Sequence, residues 1–360
     1  MLTFCRALIL FMLYPAAMFA PSFSASAAEE KRGAYRGAMA TDYPSWFKDS
    51  FLDLREDIAE AKAKQKRVML FFTQDNCPYC NALVERNMAQ QEIEQLLRQR
   101  FEVVAINLWG DREVTDRDGV KHTEKSFSTA LKVQFTPTLI FFDEDGKTIL
   151  RLNGYLAPAQ FKTALEYVAQ AKEKAGSYRD YVAANAPPAA SGALHKQDFF
   201  KPAPYTLTRK SGGKARPLAV FFEQKDCPSC AELHQKVLVD PETRGVIRKV
   251  DAVQLDMWSD TPVVTPQGKR LTAREWAKAL DVKYAPTIVV FSPQGREIIR
   301  SEAFFKVFHV QGLFTYVLDG GYKTEPSFQR YLSALAEQMR EHGKDVDIWR
   351  MGDEGAGKPK

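Results

Sequence analysis

The chain is 360 residues long, with 45% hydrophobic and 26% charged residues and a formal net charge of +5 at pH 7. That length has room for two domains, each with its own core. So mild a charge, with acidic and basic residues interspersed, excludes a nucleic-acid-binding surface and reads as solvated exterior.

Residues 1–28 carry Arg6 as their only charge, then an apolar run over 7–20 and the small residues Ala25-Ser26-Ala27. This is the three-part layout of a secretory signal, with cleavage at Ala27 or Ala28. The apolar run is shorter than a membrane span needs, and Pro15 interrupts it; an uncleaved anchor is the blander alternative. Export implies an oxidising compartment. Cys5 falls inside the signal, and the four cysteines that remain sit in two short motifs, with none left over for structural bridges. These thiols are expected to react.

From residue 44 the pattern becomes regular. Residues 53–64 place Leu54, Ile58 and Ala61 at helical spacing among charges, which predicts an amphipathic helix. Residues 68–72 are five consecutive apolar positions, too few for a typical helix and right for a strand covered on both faces. They open the stretch VMLFFTQDNCPYC. Proline at the second position of Cys77-Pro78-Tyr79-Cys80 suits a first helical turn, where a missing N–H costs nothing. Cys77 is therefore expected just ahead of a helix, where free N–H groups and the helix dipole favour a thiolate, with Cys80 one turn further in. That is chemistry for thiol–disulfide exchange.

Helices around Leu83 and around Ile93, Leu96 and Leu97 follow, then a strand over 101–109. Next come a tight turn at Asp118-Gly119 and a helix with Phe127, Ala130 and Leu131, ending before Thr136-Pro137-Thr138. A hairpin about Glu144-Asp145-Gly146 and a helix over 158–174 close the unit. Asp116 and Asp118 faintly match a calcium loop, but the remaining ligands of that pattern are missing and a turn is the better reading.

The unit then recurs. LAVFFEQKDCPSC at 218–230 echoes the first motif, with Cys227 and Cys230 offset by 150 residues from Cys77 and Cys80. Trp109/Trp258, Gly119/Gly268, Val133/Val282, Pro137/Pro286 and Gly146/Gly295 are offset by 149. A near-constant offset through strand, insertion and hairpin means two copies of one domain. In the second copy, Asp240-Pro241 reads as a helix start and Thr272 with Glu275 as a capping box. No helix matching 53–64 precedes its first strand; residues 198–208 look extended and are expected to pack on the first copy. The boundaries expected are 1–28 (signal), 40–185 (first domain), 186–216 (linker and lead-in), 217–345 (second domain) and 346–360 (flexible tail). Flexible Ala/Pro/Gly segments between the copies are expected to let their two sites meet.

This order of elements, with Cys-Pro-x-Cys after the first core strand and Thr136-Pro137-Thr138 before the hairpin, resembles the thioredoxin fold. The chain is thus expected to be α/β: two tandem thioredoxin-like domains, each a mixed central sheet flanked by helices. The insertion after the second strand and the Phe-Phe-x-Gln-x-x-Cys-Pro lead-in are most similar to exported thioredoxins of the bacterial sulfur-oxidation type. The resemblance implies that Pro137 and Pro286 are cis and face the disulfides. It also implies that Thr136-Pro137 and Ala285-Pro286 bind substrate backbone. Cys77 and Cys227 would attack, and Cys80 and Cys230 resolve. Partners would be protein or small-molecule disulfides and a membrane thiol–disulfide electron carrier, in the periplasm, with no cofactor, metal or nucleic acid. Two departures stand out. Phe71 and Phe221 occupy the position six residues before the nucleophile where thioredoxin keeps a buried Asp, and Asn76 or Asp226 replaces the Trp just before it.

Other readings of the same residues are blander. Two Cys-x-x-Cys pairs could hold one zinc ion, but each follows its own strand and has its own proline partner. As inert bridges they would constrain almost none of the unfolded chain. His234 reads as a surface histidine, and His122 and His309 offer no constellation. A reductase is favoured; an oxidase, an isomerase, or a binding module in which one domain docks a partner protein are the alternatives.

Overall fold

The computed structural model describes residues 32–185, 192–209 and 215–349. The expected signal segment and the residues from 350 onward lie outside the described residues, as do parts of the expected linker.

In the first repeat β1 (Tyr35–Arg36) comes first, then α1 (Leu54–Ala63), whose N-cap Asp53 accepts hydrogen bonds from the Arg55 and Glu56 N–H groups. β2 (Arg67–Thr73) is buried along its whole length, as an apolar run between two covered faces must be. It feeds α2 (Pro78–Ala82), which passes into a wider π-type turn at Leu83–Met88 before α3 (Gln91–Arg100). β3 (Phe101–Asn107) follows, then β4 (Glu113–Thr115) and β5 (Lys121–Thr123) as a small hairpin. The Asp116 carboxylate accepts from the N–H groups of Asp118 and Val120, so it serves the turn at Gly119, whose φ is +84°. After α4 (Glu124–Ala130) come β6 (Thr138–Phe142) and β7 (Thr148–Asn153). The sheet runs β3-β2-β6-β7, parallel between the first two strands and antiparallel beyond. α5 (Pro158–Ala169) stops short of the expected Lys174, because Ala171 turns into the left-handed region at φ 52°. α6 (Tyr178–Asn185), unforeseen in the sequence, follows it.

The second repeat has β8 (Tyr205–Thr206) where the first has α1. Contrary to expectation, this lead-in packs on its own repeat. Phe200 meets Phe221 edge-on at 4.9 Å, the Lys201 N–H donates to the Ala252 carbonyl, and Leu207 joins the core beside Val220 and Phe222. The sheet face that α1 covers in one copy needs cover in the other, and the lead-in supplies it. Then come β9 (Leu218–Glu223), α7 (Pro228–Glu232), a second π-type turn at Leu233–Val237, α8 (Pro241–Ile247) and β10 (Asp251–Asp256). β11 (Pro262–Val264), β12 (Arg270–Thr272), α9 (Ala273–Ala279), β13 (Thr287–Phe291), β14 (Glu297–Ser301) and α10 (Val307–Leu318) complete it, with sheet order β10-β9-β13-β14. The Asp240 cap and the Thr272–Glu275 capping box form as read. A short α11 (Gly321–Thr324), α12 (Phe328–Glu341) and β15 (Val346–Asp347) follow. Residues 346–349 are no flexible tail: β15 pairs in parallel with β1, and Val346 and Ile348 are buried.

The repeats do not behave as tethered bodies. One cluster of buried residues runs through both, including Phe71, Phe141, Phe221, Phe305, Phe314 and Phe328. That shared core fixes the two copies against each other, which corrects the expectation that linkers let their sites meet. Equivalent positions touch at the junction. Asn153 Nδ2 donates to Glu302, its counterpart at the 149-residue offset, and a Cβ at Gly154 would lie 2.8 Å from the Cβ of Ala303, its own counterpart. Contacts of like with like are the mark of an isologous, two-fold-related interface. The trailing helices obey the same relation. α6 crosses to the second repeat, where Arg179 donates to the Val282 and Met257 carbonyls and lies 4.2 Å from the Trp258 ring centre. α12 crosses to the first, where Gln329 Nε2 donates to the Gln134 carbonyl at 3.1 Å and Arg330 lies over Trp109.

Two disulfide sites at helix N-termini

Each motif turns the same way. Asn76 and Asp226, just before the first cysteine, have φ of 58° and 47°. Asn and Asp tolerate that left-handed region better than other side chains with a Cβ, which accounts for their presence there. The chain then enters the helix, and Cys77 and Cys227 are its N-caps: each Sγ accepts the N–H of Cys80 or Cys230 at 3.1 Å. A sulfur so placed meets free N–H groups and the positive end of a dipole, the condition for stabilising a thiolate. Cys77 is bonded to Cys80 and Cys227 to Cys230, with Cα separations of 5.3 and 5.1 Å, so the cysteines are paired within each motif.

The proline loops sit where the site residues were expected. The Thr136–Pro137 and Ala285–Pro286 bonds are cis, as is Ala203–Pro204 in the lead-in. The Thr136 hydroxyl lies 3.5 Å from Cys77 Sγ and can donate to it, while Ala285 is buried in the same apolar cluster as Cys227 and Cys230 and has no hydroxyl to offer. Trp109 and Trp258 donate to Gln74 and Gln224, which steadies the loop ahead of each cysteine.

The two sites differ in what lies over them. In the first repeat Cys77, Pro78, Tyr79 and Cys80 are all buried; in the second Pro228 is exposed and Ser229 half-buried. The cover comes from the second repeat and the chain's last described residues. Phe328, the first residue of α12, packs on Phe135 at 5.2 Å, and its N–H donates to the Gln134 side chain. Tyr79 meets Phe305, His309 and Trp349 at 5.3, 5.0 and 5.1 Å, and its hydroxyl accepts the Lys306 N–H at 2.9 Å. What remains over Cys77 is a cavity of about 40 Å³, lined by Gln74, Thr136, His309, Gln329 and Ile348 among others.

Two histidines differ from the sequence expectation. His234 is no surface group: it is 3% exposed, and its Nε2 lies 3.0 Å from the carboxylate of Glu223, which is fully buried at the end of β9. Gln254 Nε2 also donates to Glu223, at 2.9 Å. The position six residues before Cys227 is apolar as read, yet a buried carboxylate stands two residues further on. The signal available was a charged residue ending an all-buried strand, with a histidine four residues past Cys230. His309 does belong to a constellation, at the other repeat's site, which no spacing along the chain could reveal. His122 stays at the β4–β5 hairpin, 3.2 Å from Asp116.

A cysteine pair at a helix start, closed as a disulfide and facing a cis-proline loop, defines a dithiol–disulfide redox site, and the fold carries two. The thioredoxin-like domain family matches residues 54–169 and 207–307, more than half of the chain. The chain belongs to that family. No curated protein matches it. Among solved structures it is similar to a thioredoxin-fold protein from Helicobacter pylori (24% identity over 34% of this chain and 84% of that one, TM-score 0.28). It is also similar to a disulphide isomerase from Xylella fastidiosa Temecula1 (21%, 41% and 99%, 0.24) and to DsbH oxidoreductase (17%, 37% and 88%, 0.26).

Proposed function

We propose that the protein is a periplasmic thiol–disulfide oxidoreductase that reduces protein disulfides, refilled with electrons by a membrane thiol–disulfide carrier. The observation that carries this is the N-cap geometry of Cys77 and Cys227, each sulfur accepting a helix N–H beside a cis-proline loop. In the reduced form the capped thiolate attacks a substrate disulfide, and one substrate sulfur leaves as a thiolate that takes a proton. The second cysteine then attacks the mixed disulfide, releasing the other substrate sulfur and closing the ring. Two electrons pass to the substrate, with one proton from the resolving thiol and one from solvent. The loops at Thr136-Pro137 and Ala285-Pro286 pair with the backbone of an extended substrate, a form of strand addition. Export rests on the signal-like layout of residues 1–28.

An insulin-reduction assay tests the activity. The wild-type chain should reduce insulin with a dithiol as electron source, Cys227→Ser should remove most of the turnover, and the double variant with Cys77→Ser should remove all of it. Undiminished turnover in the double variant would sink the reading.

A further inference from the structure

The first turn of α12 bridges the two loops that frame Cys77. Gln74, three residues before the cysteine, donates from Nε2 to Gln329 Oε1 at 3.2 Å. Beside the proline loop Gln134 accepts twice, its carbonyl from Gln329 Nε2 and its side chain from the Phe328 N–H. Thr136 is left 4% exposed and Cys77 2%. With α12 seated, a polypeptide backbone cannot reach that loop. In the second repeat the equivalent side chains are engaged within their own copy, Gln224 with Trp258 and Lys283 with Asp281, and Pro228 is exposed.

The cavity that remains over Cys77, about 40 Å³, has room for about three water-sized molecules. Its buried walls include Cys77 and Thr136, and it reaches the surface where the exposed Tyr35 and Ser333 line it. Gln74, His309 and Gln329 add groups that donate and accept hydrogen bonds. The Thr136 hydroxyl stands on the wall 3.5 Å from Cys77 Sγ. A disulfide brings the carbons on both its sulfurs and does not fit. Hydrogen peroxide does: it is two oxygens long, each donating and accepting, and it takes two electrons from a thiolate.

We propose that the first site reduces hydrogen peroxide admitted through this cavity, and that α12 closes the site to larger disulfides and hydroperoxides. This rests on the oxidoreductase reading and gives the first site a substrate class of its own. The Cys77 thiolate, held by the Cys80 N–H, attacks one peroxide oxygen. The O–O bond breaks, and the departing hydroxide takes a proton from solvent and leaves as water. Cys77 is then a sulfenic acid. Cys80 attacks its sulfur, the S–O bond breaks, and the second hydroxide leaves as water with the Cys80 proton. The dithiol has given up two electrons and closed as the disulfide, and one peroxide has become two waters. The carrier that refills the site with electrons reduces it again.

Two full-length chains separate the sites: Cys227→Ser with Cys230→Ser leaves the first, and Cys77→Ser with Cys80→Ser leaves the second. Each is reduced, freed of reductant, mixed with hydrogen peroxide or cumene hydroperoxide, and quenched with N-ethylmaleimide to count thiols. The first site should react with hydrogen peroxide at least as fast as the second. Its preference for hydrogen peroxide over the bulky peroxide should exceed the second site's about 100-fold, because only the larger molecule waits for α12 to lift. Equal preferences at the two sites would overturn the proposal, as would a first site slower with hydrogen peroxide than the second. With Cys80→Ser added to the first chain, hydrogen peroxide should leave Cys77 as a sulfenic acid that dimedone traps. Recovery of unmodified Cys77 would also overturn it. Insulin reduction by the second site with no peroxide selection by the first would sink this proposal alone. Selection without any insulin reduction would remove protein disulfides as substrates and leave it standing.

Discussion

The two repeats share strand order, motif and proline loop, and still present their disulfides to different surroundings. At Cys227 the flanking Asp226 and Pro228 are exposed; at Cys77 the neighbouring Pro78 and Tyr79 are buried beneath α12, Phe305 and Trp349. Beneath β2 and β9 the order reverses. The first repeat has Thr73, Val84 and Ala105 where the second holds the ionisable Glu223 and His234 with Gln254. At these positions one copy therefore has an interior without ionisable groups and a covered motif, and the other a polar interior and a motif whose Pro228 and Ser229 reach the surface. A duplicated fold sets the chemistry of a site, and the partner copy sets access to it.

The strongest challenge to that contrast is Glu223→Ala. It leaves His234 Nε2 buried without its carboxylate partner and takes one of two acceptors from Gln254 Nε2, and an unsatisfied buried polar group typically costs about 1–3 kcal/mol. Thr73→Ala, at the matching place in the first repeat, should cost about 1 kcal/mol at most. Urea unfolding of both variants reads the difference; equal losses would dissolve the distinction between interiors.

Access is the next largest effect. In the fully reduced chain, iodoacetamide should label Cys227 about 100-fold faster than Cys77, equivalent to about 2.7 kcal/mol of local opening, with Cys80 and Cys230 slower still. Trp349→Ala, which removes a ring from Tyr79, should speed Cys77 about tenfold and leave Cys227 alone. Mass spectrometry of tryptic peptides gives both rates. Comparable labelling of Cys77 and Cys227 in the wild type would mean that the cover does not shield.

A further effect, confined to pH below about 6.5, is on acid stability. His309 is held neutral in the folded chain, near pKa 4, against about 6.5 when unfolded. Between those values the unfolded state binds more protons, so folding stability falls as pH drops from about 6.5 to about 4, by about 1.4 kcal/mol per unit at most. His309→Gln removes that contribution, so its stability should decline less steeply over the same window. Parallel curves from thermal unfolding at stepped pH would show that His309 takes no part.

Much of this was legible in the sequence. The all-apolar runs at 68–72 and 218–222 mark strands covered on both faces, and the caps at Asp240 and Thr272 form as their spacing requires. The repeat offset carried the second domain with it. What stayed hidden was which copy covers which. Phe328, Leu332 and Ala336 are buried along one face of α12, and periodicity along a chain says that such a stripe is buried without saying against what. The lead-in was assigned to the wrong copy for the same reason. His309 sits in the apolar run of α10, where only the fold shows that it meets Tyr79, over 200 residues earlier.

The clasp between β1 and β15 also has a bearing on how the chain is made. Tyr35–Arg36 pair with Val346–Asp347 near the far end of the described chain, and Trp349 completes the cover on Tyr79. Synthesis runs from the N-terminus and domains fold as they emerge, so the first repeat can close its sheet while α12 and β15 are still unmade. During that interval Cys77 and Cys80 lie open to whatever oxidant or isomerase meets the nascent chain. The last segment to arrive thus completes the cover over the first site.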